Sequence, residues 1–197
     1  MSQSYVIRVS ASVQERVSAK DKRTKTLVLT EIVPADEQRE ILRGKLREGG
    51  WEEVEGSDGQ RFRRKRGEVL EEIDLEAMEV EASVELERTL ERSRTITVRG
   101  DRDLEDVEER RQKEKGALER SIAVSAEERE QAQGGLDREI AEALEATEEE
   151  RNRELNELVR EVYAESLKRK AGRLGTIQGV QESRAGEDYE LVIRITE

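Results

Sequence analysis

Over residues 5–17 the chain alternates with few breaks. Tyr5, Ile7, Val9, Ala11, Val13 and Val17 fall on one side, and Arg8, Ser10, Ser12, Gln14 and Arg16 on the other. A period of two predicts a strand with one buried and one wet face. The charged stretch 20–25 reads as a turn, and the apolar run 27–33 as a second strand that closes an antiparallel hairpin with the first. Pro34, with Asp36 and Glu37 behind it and Arg43, Lys45 and Arg47 further on, predicts a helix whose charges suit its dipole. Ile41, Leu42 and Leu46 form its buried face, Gly49-Gly50 stops it, and Trp51 is placed to fold back on the last turn. Residues 51–55 and 60–66, around the turn Gly56-Ser57-Asp58-Gly59, predict a second hairpin. Between 69 and 90 two periods compete. Met78, Val80, Ala82, Val84 and Leu86 alternate, while Leu75, Met78, Ala82, Leu86 and Leu90 keep helical spacing. The tighter alternation and the valines favour two strands, 68–75 and 79–89. Residues 94–99 predict a further short strand.

From 101 to 172 the pattern changes to that of a long helical arm without proline, half of its residues charged. Such a composition favours helix but offers few side chains for a core of its own. Leu104, Val107, Leu118 and Ile122 mark a thin stripe, and Ser125 with Glu128 has the spacing of a capping box, which predicts a helix restart. The pair Gly134-Gly135 predicts the break at which two helices fold back on each other, each lending the other an apolar stripe. Beyond it, Leu136, Ile140, Ala143 or Leu144, Thr147, Leu155, Leu158, Val162 and Leu167 mark the longer helix, which ends at Lys168-Arg169-Lys170 and Gly172. Strands at 176–184 and 189–196 follow. The expected fold is α+β: a mainly antiparallel sheet with one short helix packed on it, plus a long charged helical hairpin inserted before a C-terminal β-hairpin. In chain order this is a β-rich head (1–100), the arm (101–172) and the hairpin (173–197).

Composition narrows the function more than it specifies it. With 34% apolar and 43% charged residues, little is left for a large compact core. The net charge of -12 argues against binding a phosphate backbone, so nucleic acid is not an expected partner. No run approaches the roughly 18 apolar residues of a membrane span, and the first residues lack a charged stretch followed by an apolar one, so a cytoplasmic protein is expected. The chain has no cysteine and no histidine, which removes thiol nucleophiles, thiolate metal sites and the usual proton shuttle at neutral pH. No catalytic residue, cofactor or metal is assigned, and an enzyme is not expected.

Two surfaces are candidates for binding a protein partner. Arg61, Arg63, Arg64, Lys65 and Arg66 surround Phe62 and could dock phosphate or an acidic partner. The alternatives are a solvated edge strand protected from aggregation by its charges, or pairing with carboxylates of the arm or of a second copy. Val159, Val162, Tyr163, Leu167 and Leu174 make the end of the arm more apolar than a two-helix hairpin needs. They serve either to pack on the sheet or to hold a partner or a second copy. The acidic runs at 101–106 and 148–150 read as solvated helix faces, since Asp106 stands where a calcium loop needs glycine. The glycines at 172, 175 and 179 leave a helix for a strand, the reverse of a phosphate-cradling loop.

Three stretches carry a resemblance: Ser4-Tyr5-Val6-Ile7-Arg8-Val9-Ser10-Ala11-Ser12-Val13, the run Glu31-Ile32-Val33-Pro34-Ala35-Asp36-Glu37 leading into Gly49-Gly50-Trp51, and the C-terminal arrangement. They resemble bacterial accessory proteins encoded beside FtsH-like AAA+ ATPases in ternary systems of NTP-dependent biological conflict. The C-terminal part, from Glu161-Val162-Tyr163-Ala164 through Gly172 to Glu190-Leu191-Val192-Ile193, is also similar to a small family of unknown function in cyanobacteria and plastids. These stretches share strand, glycine and helix patterns rather than chemical motifs, so no functional residue is carried over. The resemblance implies a non-enzymatic accessory or adaptor subunit acting with a separate AAA+ ATPase. The alternative is a self-assembling coiled-coil protein, a homodimer or higher oligomer, with no ATPase partner.

Overall fold

A computed structural model of the protein describes residues 4–101, 106–185 and 188–196. The fold is α+β. Strands β1 (Ser4–Thr26), β2 (Glu52–Glu53), β3 (Arg61–Arg66), β4 (Val69–Asp74) and β5 (Glu79–Asp101) form one sheet in the order β1-β5-β4-β3-β2, and β6 (Thr176–Ala185) and β7 (Asp188–Thr196) form a separate antiparallel pair. The helices are α1 (Ala35–Glu48), α2 (Val107–Ile122), α3 (Ala126–Ala146) and α4 (Glu148–Leu174). The chain divides into two compact units, one built from 1–21 and 85–141, the other from 22–84 and 142–197. Each unit joins two stretches far apart in sequence.

In the first unit, β1 and β5 run antiparallel. Their wet faces carry Ser10 against Thr95 (2.9 Å), Gln14 donating to Glu91 (2.5 Å), Arg16 beside Glu87 (3.5 Å) and Lys20 beside Glu85 (3.6 Å). On the other face, Val9 and Ala11 are buried with Leu118 and Ile122 of α2, and Ile7, Val13 and Ile96 close the cluster. The Asp106 carboxylate caps α2 by accepting from the Glu108 and Glu109 N–H groups. The capping box predicted at Ser125 forms: the Glu128 carboxylate accepts from the Ser125 N–H (2.9 Å) and the Ser125 hydroxyl from the Glu128 N–H (3.3 Å). The bond from the Ser125 N–H and a second from the Ser125 hydroxyl (2.9 Å), with help from the paired Arg92, hold the Glu128 carboxyl below its usual range. α3 then lies along the same ribbon, where Arg129 pairs with Glu15 and Glu139 with Arg88 (2.6 Å).

Three expectations need correction. First, residues 20–25 do not turn, and β1 is one strand of 23 residues. The stretch has no glycine or proline, and its cations have partners that keep it extended, including Lys22 on Glu81 (2.7 Å) and Lys25 on Asn152 (3.1 Å). Residues 27–33 form no strand. Their backbone groups are met instead by Gln38, which donates to the Thr30 carbonyl (2.9 Å) and accepts from the Ile32 N–H (3.3 Å), and by the Tyr163 hydroxyl, which accepts from the Thr30 N–H (2.8 Å). Second, Gly134 and Gly135 do not break the arm. Both lie inside α3, neither has a positive φ, and Leu136, Ile140 and Leu144 beyond them are buried. Two helical glycines cost about 1 kcal/mol each, which a buried stripe offsets. The arm's apolar positions are met by the β1–β5 ribbon, along which α2 and α3 follow one another, and the chain does not reverse at the glycines. Third, Gly172 stays helical and Gly175 ends α4, its N–H bonded to the Ala171 carbonyl (3.2 Å). A methyl group added at Gly134 meets nothing within 4 Å. Gly134→Ala is therefore expected to raise stability by about 0.5–1 kcal/mol, read as a higher urea midpoint with an unchanged slope; a lower midpoint would mean that α3 is not helical there.

In the second unit, α1, β3, β4 and α4 share one core of Leu27, Val33, Ile41, Leu42, Leu46, Phe62, Ile73, Leu75 and Val162. α1 begins after Pro34, and Gly50, at φ 78°, makes the left-handed stop that lets the Trp51 N–H reach back to the Leu46 carbonyl (3.0 Å). The segment 69–90 forms two strands, β4 and the start of β5, around a turn at 75–78, as the alternation predicts. The short strand expected at 94–99 belongs to the same β5. No helix among the described residues is long and apolar enough to cross a membrane.

Candidate partner-binding site

The basic run on β3 is largely occupied by the protein's own carboxylates. Because side chains alternate along a strand, Phe62 points into the core while Arg64 and Arg66 lie on the same face, toward α4. There Glu71 of β4 accepts from Arg64 and Arg66, both at 3.0 Å, and Glu154 of α4 accepts from Arg64 (2.7 Å) and Arg66 (2.5 Å). Glu150 joins Arg66 at 2.6 Å. Burial works to raise the Glu154 carboxyl, but the hydrogen bonds from Arg66 and Arg64 outweigh it and hold the group below its usual range. On the opposite face Arg61 pairs with Asp74 (3.0 Å) and Arg63 lies 3.9 Å from Glu52, while Lys65 is exposed. The Arg64 guanidinium also stacks 4.4 Å from the centre of the Trp51 ring.

Trp51, Arg64, Glu71 and Glu154 line one side of a cleft of about 930 Å³, whose other walls include Arg23, Lys45, Val80, Arg151 and Leu158. Five cations and six carboxylates share its lining, so neither sign dominates. Burial draws the Arg151 pKa down, and its N–H groups go to the Leu144 carbonyl (2.7 Å) and the Thr147 hydroxyl (3.2 Å). Among the described residues, no group of acidic side chains is arranged to hold a metal ion. In the acidic run that opens α4, Glu148 pairs with Arg23 and Glu150 with Arg66. Of the other run, Asp106 caps α2, and residues 102–105 lie outside the described residues.

The apolar stripe of α4 separates into an inner and an outer part. Val162 is fully buried in the core, Val159 packs against it half-buried, and Tyr163 holds the Thr30 backbone. Leu167 and Leu174 are 38% and 65% exposed. Beside them the β6–β7 pair contributes Ile177 (37%), Val180 (42%) and Ile195 (40%), residues that the helical spacing of the arm does not point to. The strand register sets Ile177 opposite Ile195 and Val180 opposite Ile193. Lys168 on Glu182 (2.7 Å) and Arg184 on Glu157 (3.0 Å) hold this face of the hairpin to α4. The alternation of both strands is visible in the sequence; that only two strands form this sheet, with part of its apolar face open, is not. Lys170 and Arg173 lie at the rim, Arg173 paired with Glu37 (2.5 Å). The result is an apolar patch with basic flanks on an acidic chain.

A family model, that of the FtsH ternary system domain X5, matches residues 1–196. No curated protein and no solved structure matches the chain.

Proposed function

The chain belongs to the FtsH ternary system domain X5 family, and on that footing we propose that it is a non-enzymatic accessory subunit. It acts with a separate AAA+ ATPase in a bacterial conflict-type system, in the cytoplasm. Membership makes it a component of an FtsH ternary system. The observation that carries the finer reading is the patch of Leu167, Leu174, Ile177, Val180 and Ile195, which leaves more than a third of each side chain open in a chain that is 43% charged. An apolar face of this kind, with basic flanks, suits a partner presenting apolar residues within an acidic rim. The absence of histidine and cysteine, and the two arginines that hold the Glu154 carboxyl below its usual range, support a binding role over a catalytic one. A coiled coil between arms is the weaker reading, because the buried positions of α2 pack on the protein's own ribbon.

The test is recovery of partners from the native host on tagged full-length protein, compared with a Leu174→Glu/Val180→Glu variant. The wild-type chain is expected to retain an AAA+ ATPase, and the variant, with unchanged circular dichroism, to lose at least about tenfold of it. Recovery of no AAA+ protein by the wild type would overturn the reading. Equal recovery by the folded variant would move the contact away from this patch.

A further inference from the structure

We propose that the ribbon of the first unit is a self-association surface, on which the free edge of β5 from one copy pairs antiparallel with the free edge of β1 from the next. Natural sheets keep their edge strands short, because unpaired N–H and C=O groups recruit other strands. Here the edge strand β1 has 23 residues, and β5, also 23, is paired on its second side only at Glu79–Ser83, by β4. Among the described residues no other backbone hydrogen bond reaches these two edges. The long ribbon thus offers two extended hydrogen-bonding edges at once.

Charge selects which edges meet. The wet face of β1 in this unit carries Arg8, Arg16 and Lys20 and no acid, whereas that of β5 carries Glu85, Glu87 and Glu91, with one cation, Arg99, toward its other end. Two β1 edges, or two β5 edges, would bring like charges together across the new ladder, which is unfavourable. A β1 edge against a β5 edge repeats the arrangement that already holds the ribbon together, with cations facing carboxylates. Such a contact is heterologous, so the same two edges remain available at the ends of the assembly and growth continues past a dimer.

The helical layer permits this stacking. α2 meets the ribbon near Val9 and Ala11, and α3 continues from Glu15 and Arg92 to Arg88, so one helix width covers two strands. Two strands at roughly 4.8 Å spacing occupy about 9.6 Å, and packed helices sit about 8–10 Å apart, so the spacings of the two layers of the first unit match from one copy to the next.

The chain has no cysteine, so single cysteines report this contact without interference. Ser12 of β1 and Ser93 of β5 are exposed on the wet face. Full-length S12C and S93C proteins, mixed and mildly oxidised at low salt, are expected to give the mixed disulfide dimer in about tenfold excess over either symmetric dimer. The wild-type chain should sediment as species that grow past a dimer with concentration and shrink in about 0.5 M salt. Symmetric dimers matching or exceeding the mixed one, or a monomer at all concentrations up to about 100 µM, where contacts of ~10 µM Kd would be filled, would overturn the proposal.

Discussion

Phe62→Ala lowers the unfolding free energy by about 3–5 kcal/mol, a large share of the roughly 5–15 kcal/mol that holds a domain together. Phe62 is among the largest side chains with no exposure at all and sits where α1, β3 and β4 converge, with Leu42, Leu46, Ile73 and Leu75 in the same core. Its ring also receives the Arg47 guanidinium 5.9 Å from its centre, an attraction that the alanine side chain cannot replace. The close-packed surroundings relax only partly into the space that the ring leaves. Phe62→Leu should cost much less, about 1–1.5 kcal/mol, because most of the volume is kept. Both are read from urea denaturation followed by Trp51, the chain's single tryptophan, which packs against this core. Equal midpoints for the two variants would show that the ring is not the centre of the core.

Glu71→Ala is the second large effect, expected at about 2–3 kcal/mol. The Glu71 carboxylate is 4% exposed and is shared by two guanidinium groups that are about a fifth exposed. Removing one partner of a buried ionic group costs more than the pair's own attraction, since the remaining charges stay desolvated. The value lies below the usual range of about 3–5 kcal/mol because Glu154 and Glu150 still contact Arg66 and solvent reaches part of both arginines. Glu154→Ala, at a carboxylate 35% exposed, should cost about 1 kcal/mol or less. The order of the two urea midpoints is the test. If Glu154→Ala proves the more damaging, the network is held from α4 and not from the sheet.

Much of the local structure is legible in the chain. The glycine-flanked turn at 56–59 locates β3, period-two alternation favours strands at 69–90 and marks the last strand of the C-terminal pair, and Pro34 with Gly49-Gly50 bounds α1. Ser125 and Glu128 mark the restart of the arm, because a capping box needs only a four-residue stretch. Segments whose local signals conflict with distant contacts are not legible. Residues 27–33 look like a strand, but their hydrogen bonds come from Gln38 and from Tyr163, which lies 133 positions from Thr30. Gly134-Gly135 looks like a break, but buried neighbours on both sides keep α3 whole. For the candidate site, the sequence marks an apolar end of α4; burial of Val162 and exposure of Leu174 depend on which neighbours fold against them.

By itself, then, the sequence determined the α+β class, the bounds of α1, the capping box at Ser125, and a composition in which histidine and cysteine chemistry has no place. These depend on periodicity and on contacts within a few residues, where dihedral preferences and side-chain spacing dominate. Only the tertiary structure decided that β1 is one long strand paired with β5, that the β3 arginines are answered by Glu71 and Glu154, and that the open apolar patch combines Leu167 and Leu174 with Ile177, Val180 and Ile195. Each of those outcomes depends on burying or pairing groups far apart in the chain, and the free energy of such contacts has no local signature.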